Sequence, residues 1–75
     1  MNSDQFKGSW KQLKGKVRER WGQLTDDDLD VIEGRLDQLI GRVQEKYGMA
    51  RDAAEREVNN WMKQYDQELR DEPAV

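Results

Sequence analysis

The chain has 75 residues, which suffices for one small domain and leaves no room for a second core. It has no cysteine and no histidine, which excludes a disulfide framework, thiolate chemistry and the commonest general base and metal ligand near neutral pH. The net charge of −3 conceals a split: residues 1–22 carry six basic and two acidic groups (+4), and residues 23–75 carry seven basic and fourteen acidic groups (−7).

Targeting signals are not evident in the sequence. No apolar run approaches the roughly 20 residues that span a bilayer. The first ten residues, MNSDQFKGSW, lack the charged segment and apolar stretch of a signal peptide. We therefore expect a cytoplasmic protein that does not associate with a membrane.

The first predicted helix carries one apolar stripe. Its large apolar residues are spaced 4, 3, 4 and 4 apart, which keeps them on one face of a 3.6-residue helix. These residues are Phe6, Trp10, Leu13, Val17 and Trp21. Gly22 follows at the position of a C-terminal cap. The pattern predicts a single helix from about Phe6 to about Trp21.

The second predicted helix has a strong start signal. Thr25 can accept a backbone N–H of the first turn, and the three aspartates 26–28 lie near the positive end of the helix dipole. Leu24 and Leu29 occupy the two positions of a hydrophobic staple. The apolar face continues through Ile32, and Gly34 is expected to end or bend this short helix.

The third predicted helix copies the first at a constant offset, with Ile32 in the place of Phe6. Its stripe consists of Ile32, Leu36, Leu39, Val43 and Tyr47, and Gly48 closes it. A fourth helix is predicted from about Arg51 to about Leu69. Its inner face consists of Ala54, Val58, Trp61, Met62 and Tyr65. Residues 71–75 have nothing to bury and are expected to fray.

The six glycines show that the chain contains an internal repeat. They lie seven residues apart within two sets of three, at Gly8, Gly15, Gly22, Gly34, Gly41 and Gly48. The segment QLKGKVRERWG, residues 12–22, returns as QLIGRVQEKYG, residues 38–48. We predict one domain over residues 1–70, built from repeat units of about 6–32 and 32–58. The predicted fold class is all-α, a four-helix bundle of two helical hairpins related by duplication.

The repeated segments also resemble a known family. The strings WKQLKGKV, LTDDDLDVIEG and DQLIGRVQEKYG, together with AEREVNNW, resemble the CsbD-like family of small bacterial general-stress proteins over about Gly8 to Trp61. The resemblance implies two roughly orthogonal helical hairpins, similar to a SAM-domain-like arrangement. It implies a setting in general stress and stationary phase. It implies no established enzymatic activity and no catalytic residues.

A basic ridge on the first predicted helix is the main candidate binding site. It consists of Lys7, Lys11, Lys14 and Arg18, one position around the helix from the apolar stripe. Like charges four residues apart repel each other, and such a ridge attracts an anion such as a phosphate backbone. Alternatively, the acidic residues between 26 and 33 neutralise the ridge within the chain. We favour neutralisation, because the second repeat does not keep the ridge and the chain is acidic overall.

A second candidate surface consists of glycines. By helical projection Gly8, Gly15, Gly34 and Gly41 lie nearly opposite the apolar stripe. They form either a flat face for a protein partner or a second copy, or a place where the two hairpins of one chain approach closely. We favour the second interpretation, or simple inheritance through the duplication, over a contact face.

The remaining motifs favour structural roles. Trp10, Trp21 and Trp61 are expected in the core rather than stacked on bases. The series Asp26, Asp28 and Asp30 resembles the start of a calcium loop, but Val31 stands where that loop needs glycine. We expect no metal, no cofactor and no enzymatic activity. The primary hypothesis is a stress-response protein that acts by abundance or protein contact, and the alternative is a weak nucleic-acid-binding module that uses the ridge.

Overall fold

The computed structural model describes the backbone of residues 2–71 and the side chains of residues 2–65. The five helices of this region are α1 (Ser3–Gly8), α2 (Trp10–Arg20), α3 (Asp26–Ile32), α4 (Leu36–Tyr47) and α5 (Arg51–Asp71). Residues 2–71 contain no strand, so the all-α prediction is confirmed.

The predicted first helix is divided in two. It begins at Ser3 because Asn2 caps α1, with the Gln5 N–H donating to Asn2 Oδ1 at 2.8 Å and the Asn2 N–H donating to Gln5 Oε1 at 3.1 Å. Ser9 leaves the helical conformation between α1 and α2, with φ −103° and ψ 11°. The described region therefore has five helices where the sequence predicted four.

Between α3 and α4, the predicted end of the second helix near Gly34 agrees with the structure, but the predicted start of the third helix does not. The apolar spacing predicts a helix from Ile32, but α4 begins only at Leu36. Glu33 and Gly34 have φ values of 45° and 80°, which reverse the chain direction. A Cβ on Gly34 would lie 3.1 Å from Lys7 Cα and from Trp10 Cβ. The backbone at Gly34 thus packs directly against α1 and the start of α2.

The predicted start of α3 and end of α4 agree with the structure, whereas α2 ends at Arg20 with Trp21, not Gly22, as its C-cap. Thr25 caps α3 in a capping box with Asp28, and the staple residues Leu24 and Leu29 are each 1% exposed. Gly48 ends α4 in the left-handed conformation, with φ 62°. Helix α5 begins at Arg51 and extends to Asp71, the first residue of the predicted frayed tail. Residues 72–75 lie outside the described region.

One continuous hydrophobic core joins all five helices. Helix α4 is central, because it packs against α1, α3 and α5. The buried apolar residues are Phe6, Leu13, Val17, Trp21, Leu24, Leu29, Ile32, Leu39, Ile40, Val43, Ala54, Val58, Trp61 and Met62. Four other residues predicted to lie in the core are only partly buried and pack against it: Trp10, Leu36, Tyr47 and Tyr65. Three of these four lie at or near a helix end, where one side of the side chain remains open to solvent.

Candidate functional site

The basic ridge lies along α1 and α2, and the start of α3 folds back beside it. Lys14 Nζ is 3.7 Å from Asp30 Oδ1, and Arg18 pairs with Asp26. The earlier residue of α2 pairs with the later residue of α3, and the later with the earlier. The acidic α3 therefore lies antiparallel to α2 with complementary charge. All four side chains remain at least 44% exposed. Such exposed pairs contribute little to stability, but they reduce the positive potential of the ridge.

The N-terminal half of the ridge is different. Lys7 and Lys11 are exposed, and no carboxylate among the described side chains pairs with either of them. They lie on either side of the half-buried Trp10 in sequence. The structure thus places all four predicted ridge residues along the first two helices, and within the described residues the unneutralised part consists of Lys7 and Lys11.

The four predicted glycines do not share one environment. A Cβ added to Gly8, Gly15 or Gly41 would meet nothing within 4 Å, whereas Gly34 is buried against α1. Gly34 therefore serves a close approach between helices of one chain, which is one of the two favoured interpretations and applies to Gly34 only. Of the other three, Gly8 and Gly15 are exposed and Gly41 is half-buried.

The aromatic residues form a cluster inside the fold. The Trp61 ring lies 5.4 Å from the Trp21 ring, 6.5 Å from the Phe6 ring and 5.9 Å from the Tyr65 ring, measured between centroids. Trp21 is 1% exposed and Trp61 8% exposed. The rings of Trp21 and Trp61 pack against each other and against neighbouring rings, so neither tryptophan is free to stack on a base.

Asp28 is the feature that sequence reasoning missed. The sequence placed it only in the first turn of a helix, near the positive end of the dipole, and gave no sign that it is 4% exposed. Its Oδ2 accepts the Thr25 backbone N–H at 2.8 Å and the Thr25 hydroxyl at 3.0 Å. Lys46 Nζ lies 3.3 Å from the same oxygen, and Arg42 Nη1 donates to Oδ1 at 3.3 Å. One carboxylate thus caps α3 and ties it to two cations of α4.

The surroundings of Asp28 favour its charged form. The Thr25 backbone N–H, the Thr25 hydroxyl and the Lys46 ammonium together hold the pKa of Asp28 below its ordinary value of 3.8, although burial acts in the opposite direction. The capping-box pattern of Thr25 and Asp28 was visible in the sequence. The two cations were not, because they belong to a different helix, α4, several turns further along the chain.

A second polar contact ties α2 to α5. Arg20 Nη2 forms an ion pair with Glu57 Oε1 at 2.8 Å, and the same oxygen accepts the Trp21 Nε1–H at 3.2 Å. Arg20 also covers the Trp21 ring at 5.3 Å from its centroid. The Tyr47 hydroxyl makes a related contact, accepting the Gln23 backbone N–H at 3.2 Å. These contacts fasten the ends of α2 and α4 to distant parts of the chain.

Two open grooves mark the surface of the described region. One of about 230 Å³ lies between α2 and α5 and includes Lys16, Arg20 and Tyr65 in its lining. The other, of about 410 Å³, lies beside Gly34 and Ile40. No buried polar side-chain atom of residues 2–65 lacks a hydrogen-bond partner, so none is directed unpaired into either groove.

The acidic series of α3 is divided among separate partners. Asp26 pairs with Arg18, Asp30 with Lys14, and Asp28 with the two cations of α4. Within the described part of the chain, no three acidic, cysteine or histidine side chains gather as metal ligands would. The helices of that same part include none with the length and apolar character of a membrane span.

Comparison with known families agrees with this architecture. The CsbD-like family matches residues 4–56, which is most of the described region. The chain belongs to the CsbD-like family. The match covers α1 to α4 and the first turns of α5, including Asp28 and the cations that bind it.

Curated relatives cover the CsbD-like chain over most of its length. The UPF0337 protein YjbJ of Escherichia coli O6:H1 is 58% identical over 66 residues, which is 88% of this chain and 96% of the relative. The UPF0337 protein ECA0631 of Pectobacterium atrosepticum is 64% identical over 61 residues, 81% of this chain and 88% of the relative. The UPF0337 protein RPA4217 of Rhodopseudomonas palustris is 57% identical over 81% of this chain and 92% of the relative. No solved structure gives a significant match.

The Asp28 cluster of this CsbD-like chain gives a testable pH dependence. Asp28→Asn should lower the free energy of unfolding at pH 7 by about 1–3 kcal/mol, because charge-assisted hydrogen bonds are lost at a buried site. A lowered folded pKa stabilises the fold above the ordinary value of 3.8, and this contribution is lost as pH falls through the folded pKa. The difference between wild type and variant should be constant above about pH 5 and shrink below it.

Urea unfolding followed by circular dichroism between pH 2 and 7 measures this difference. Asp27→Asn is the matched control, because Asp27 is exposed in the same helical turn and shares the interaction with the helix dipole. The control should cost a few tenths of a kcal/mol. Equal losses for Asp27→Asn and Asp28→Asn would show that the buried cluster contributes nothing beyond the dipole.

Proposed function

We propose that this CsbD-like protein is a non-enzymatic, cytoplasmic general stress-response protein of bacteria, acting by abundance or by protein contact. Membership of the family carries the proposal, since the resemblance implies a setting in general stress and stationary phase. The structure supports a role for the folded surface as a whole. Its buried carboxylate is used to hold helices together, and its tryptophans pack on one another.

The proposal also covers the internal duplication and the arrangement of the hairpins. We propose a fold derived from duplication, with two roughly orthogonal hairpins in a SAM-domain-like arrangement. The helix boundaries support duplication: α2 begins at Trp10 and α4 at Leu36, which are matching positions of the repeated sequence, and each start follows a short helix that contains Phe6 or Ile32. The offset between the two sequence repeats is therefore also the offset between the two breaks in the helices.

A weak nucleic-acid-binding function is the second candidate. One observation favours it: Lys7 and Lys11 are exposed and lack a carboxylate partner among the described side chains, whereas Lys14 and Arg18 pair with α3. Two such cations support only weak binding, which would weaken further with added salt. The neutralised half of the ridge and the net charge of −3 argue for the primary proposal.

A complementation experiment tests the proposed function. Deletion of the gene should lower survival in stationary phase and under general stress, and the wild-type chain should restore it. A Lys7→Gln/Lys11→Gln chain should restore survival equally at equal abundance, because these exposed side chains make no ion pair in the described structure. Unchanged survival after deletion, in every stress tested, would contradict the stress-response proposal.

Two variants, the lysine double variant and a glycine double variant, identify the mode of action. A folded Lys7→Gln/Lys11→Gln chain that fails to restore survival, and that loses DNA or RNA affinity measured at two salt concentrations, would favour the nucleic-acid candidate. Gly15→Gln/Gly41→Gln adds bulk where no atom lies within 4 Å, so the fold should persist. Loss of function in this folded variant would indicate contact through the glycine surface, and full function would favour action by abundance.

A further inference from the structure

The two halves of the described region share one hydrophobic core. The segment 2–32 contributes seven buried apolar residues and the segment 36–65 contributes the other seven, all in one cluster. The aromatic contacts cross between the segments, since Trp61 packs on both Phe6 and Trp21. Each half therefore buries its apolar residues against the other half. The same residues would be buried equally well if the second half came from another copy of the chain.

The polar contacts cross between the same two segments. Glu57 binds Arg20 and the Trp21 indole, and Asp28 binds Arg42 and Lys46. These pairs join segment 2–32 to segment 36–65, as does the hydrogen bond from the Gln23 backbone to Tyr47. They fix the relative placement of the halves without requiring that the halves belong to one chain.

The link between the halves is short and conformationally strained. It comprises residues 33–35, and Glu33 takes a left-handed conformation with φ 45°, which a side chain with a Cβ rarely adopts. The apolar spacing of Ile32, Leu36 and Leu39 continues through this link with helical period. The apolar spacing alone is thus compatible with one uninterrupted helix across residues 26–47, whereas Gly34 and the tertiary packing interrupt it.

We propose that two copies of this chain form a dimer by exchanging halves. In the dimer, segment 2–32 of each copy packs on segment 36–65 of the other, and the link straightens so that α3 and α4 become one helix. All contacts between the halves form again between copies, while the strain at Glu33 is released. A short strained link between mutually dependent segments is the condition under which such exchange is favoured. The proposal does not depend on the proposed function.

Two neighbouring substitutions should shift this equilibrium in opposite directions. Gly34→Ala strains the closed link, because its φ is 80° and its Cβ would lie 3.1 Å from Lys7 Cα, whereas alanine favours a straight helix. Glu33→Gly relieves the closed link and disfavours the straight helix. After refolding at high concentration, light scattering coupled to size exclusion should show a dimer fraction at least tenfold higher for Gly34→Ala than for Glu33→Gly, with wild type between them.

Equal dimer fractions in Glu33→Gly and wild type, or a folded Gly34→Ala that stays monomeric at every concentration, would overturn the proposal. If Gly34→Ala does not fold, Glu33→Ala replaces it, because it raises helix propensity in the link without a new contact at Gly34. The same order, Glu33→Ala above wild type above Glu33→Gly, is then required.

A mixing experiment distinguishes exchange from side-by-side association. Arg20→Glu and Glu57→Arg each place like charges together within one chain. In an exchanged heterodimer of the two variants, the glutamate introduced by the first substitution meets the arginine introduced by the second, and the other interface keeps the natural Arg20 and Glu57. Refolding the variants together should give a heterodimer share well above the half expected for random pairing. A random share would show that the halves are not exchanged.

Discussion

Trp61→Ala is expected to lower the free energy of unfolding by about 3–5 kcal/mol, the usual cost of removing a buried tryptophan. Trp61 is 8% exposed and lies against the rings of Phe6, Trp21 and Tyr65. Its removal leaves a cavity where α1, α2 and α5 meet. A domain of this size has a total stability of only about 4–11 kcal/mol at typical values per residue, so this loss is a large fraction of it.

Urea unfolding followed by far-ultraviolet circular dichroism measures this loss, because the helical signal does not depend on the tryptophan that is removed. Trp61→Phe is the matched control. It keeps an aromatic ring in the cluster and should lose much less stability than Trp61→Ala. A loss below about 1 kcal/mol for Trp61→Ala would mean that the aromatic cluster does not hold α5 to the first two helices.

Leu39→Ala and Leu13→Ala are each expected to cost about 2–5 kcal/mol. Both side chains are 0% exposed, and they occupy matching positions of the repeated sequence segments. The loss of stability for Leu39→Ala should be at the upper end of this range. Helix α4 packs against three other helices, so its surroundings cannot collapse into the cavity.

Val31→Ala serves as the control for these two variants. Val31 is 45% exposed on α3, so the loss of its methyl groups should change the stability by no more than about 0.5 kcal/mol. Chemical unfolding of the three variants under one set of conditions gives the comparison. If Leu13→Ala or Leu39→Ala is no more destabilising than Val31→Ala, the apolar stripe is not the core of the protein.

The helical stripes were readable from the sequence because burial of a helix face imposes a local period. Leu13, Val17, Leu39 and Val43 were predicted from spacing and are all 0% exposed. Capping is equally local, which explains why Thr25 and Gly48 were assigned correctly. The breaks at Ser9 and at residues 33–35 do not follow from that period. The break at residues 33–35 was signalled by Gly34 instead, whereas the apolar spacing gave no signal for the break at Ser9.

The candidate site was predictable only where its partners follow closely in the chain. Neutralisation of Lys14 and Arg18 by α3 was foreseen, because a short turn brings the acidic stretch back beside the ridge. The burial of Asp28 was not foreseen, because a helix-start aspartate is ordinarily exposed and nothing in its own segment indicates that Lys46 covers it.

The amino-acid sequence by itself determined the helical class, most of the core residues, the caps of α3 and α4, and the family. These properties depend on neighbours within one or two helical turns. Only the tertiary structure decided that the first apolar stripe is interrupted at Ser9, and that Asp28 and Glu57 bind cations on other helices. Those outcomes depend on which helices meet, and a repeating local pattern carries no information about the partner that lies across the core.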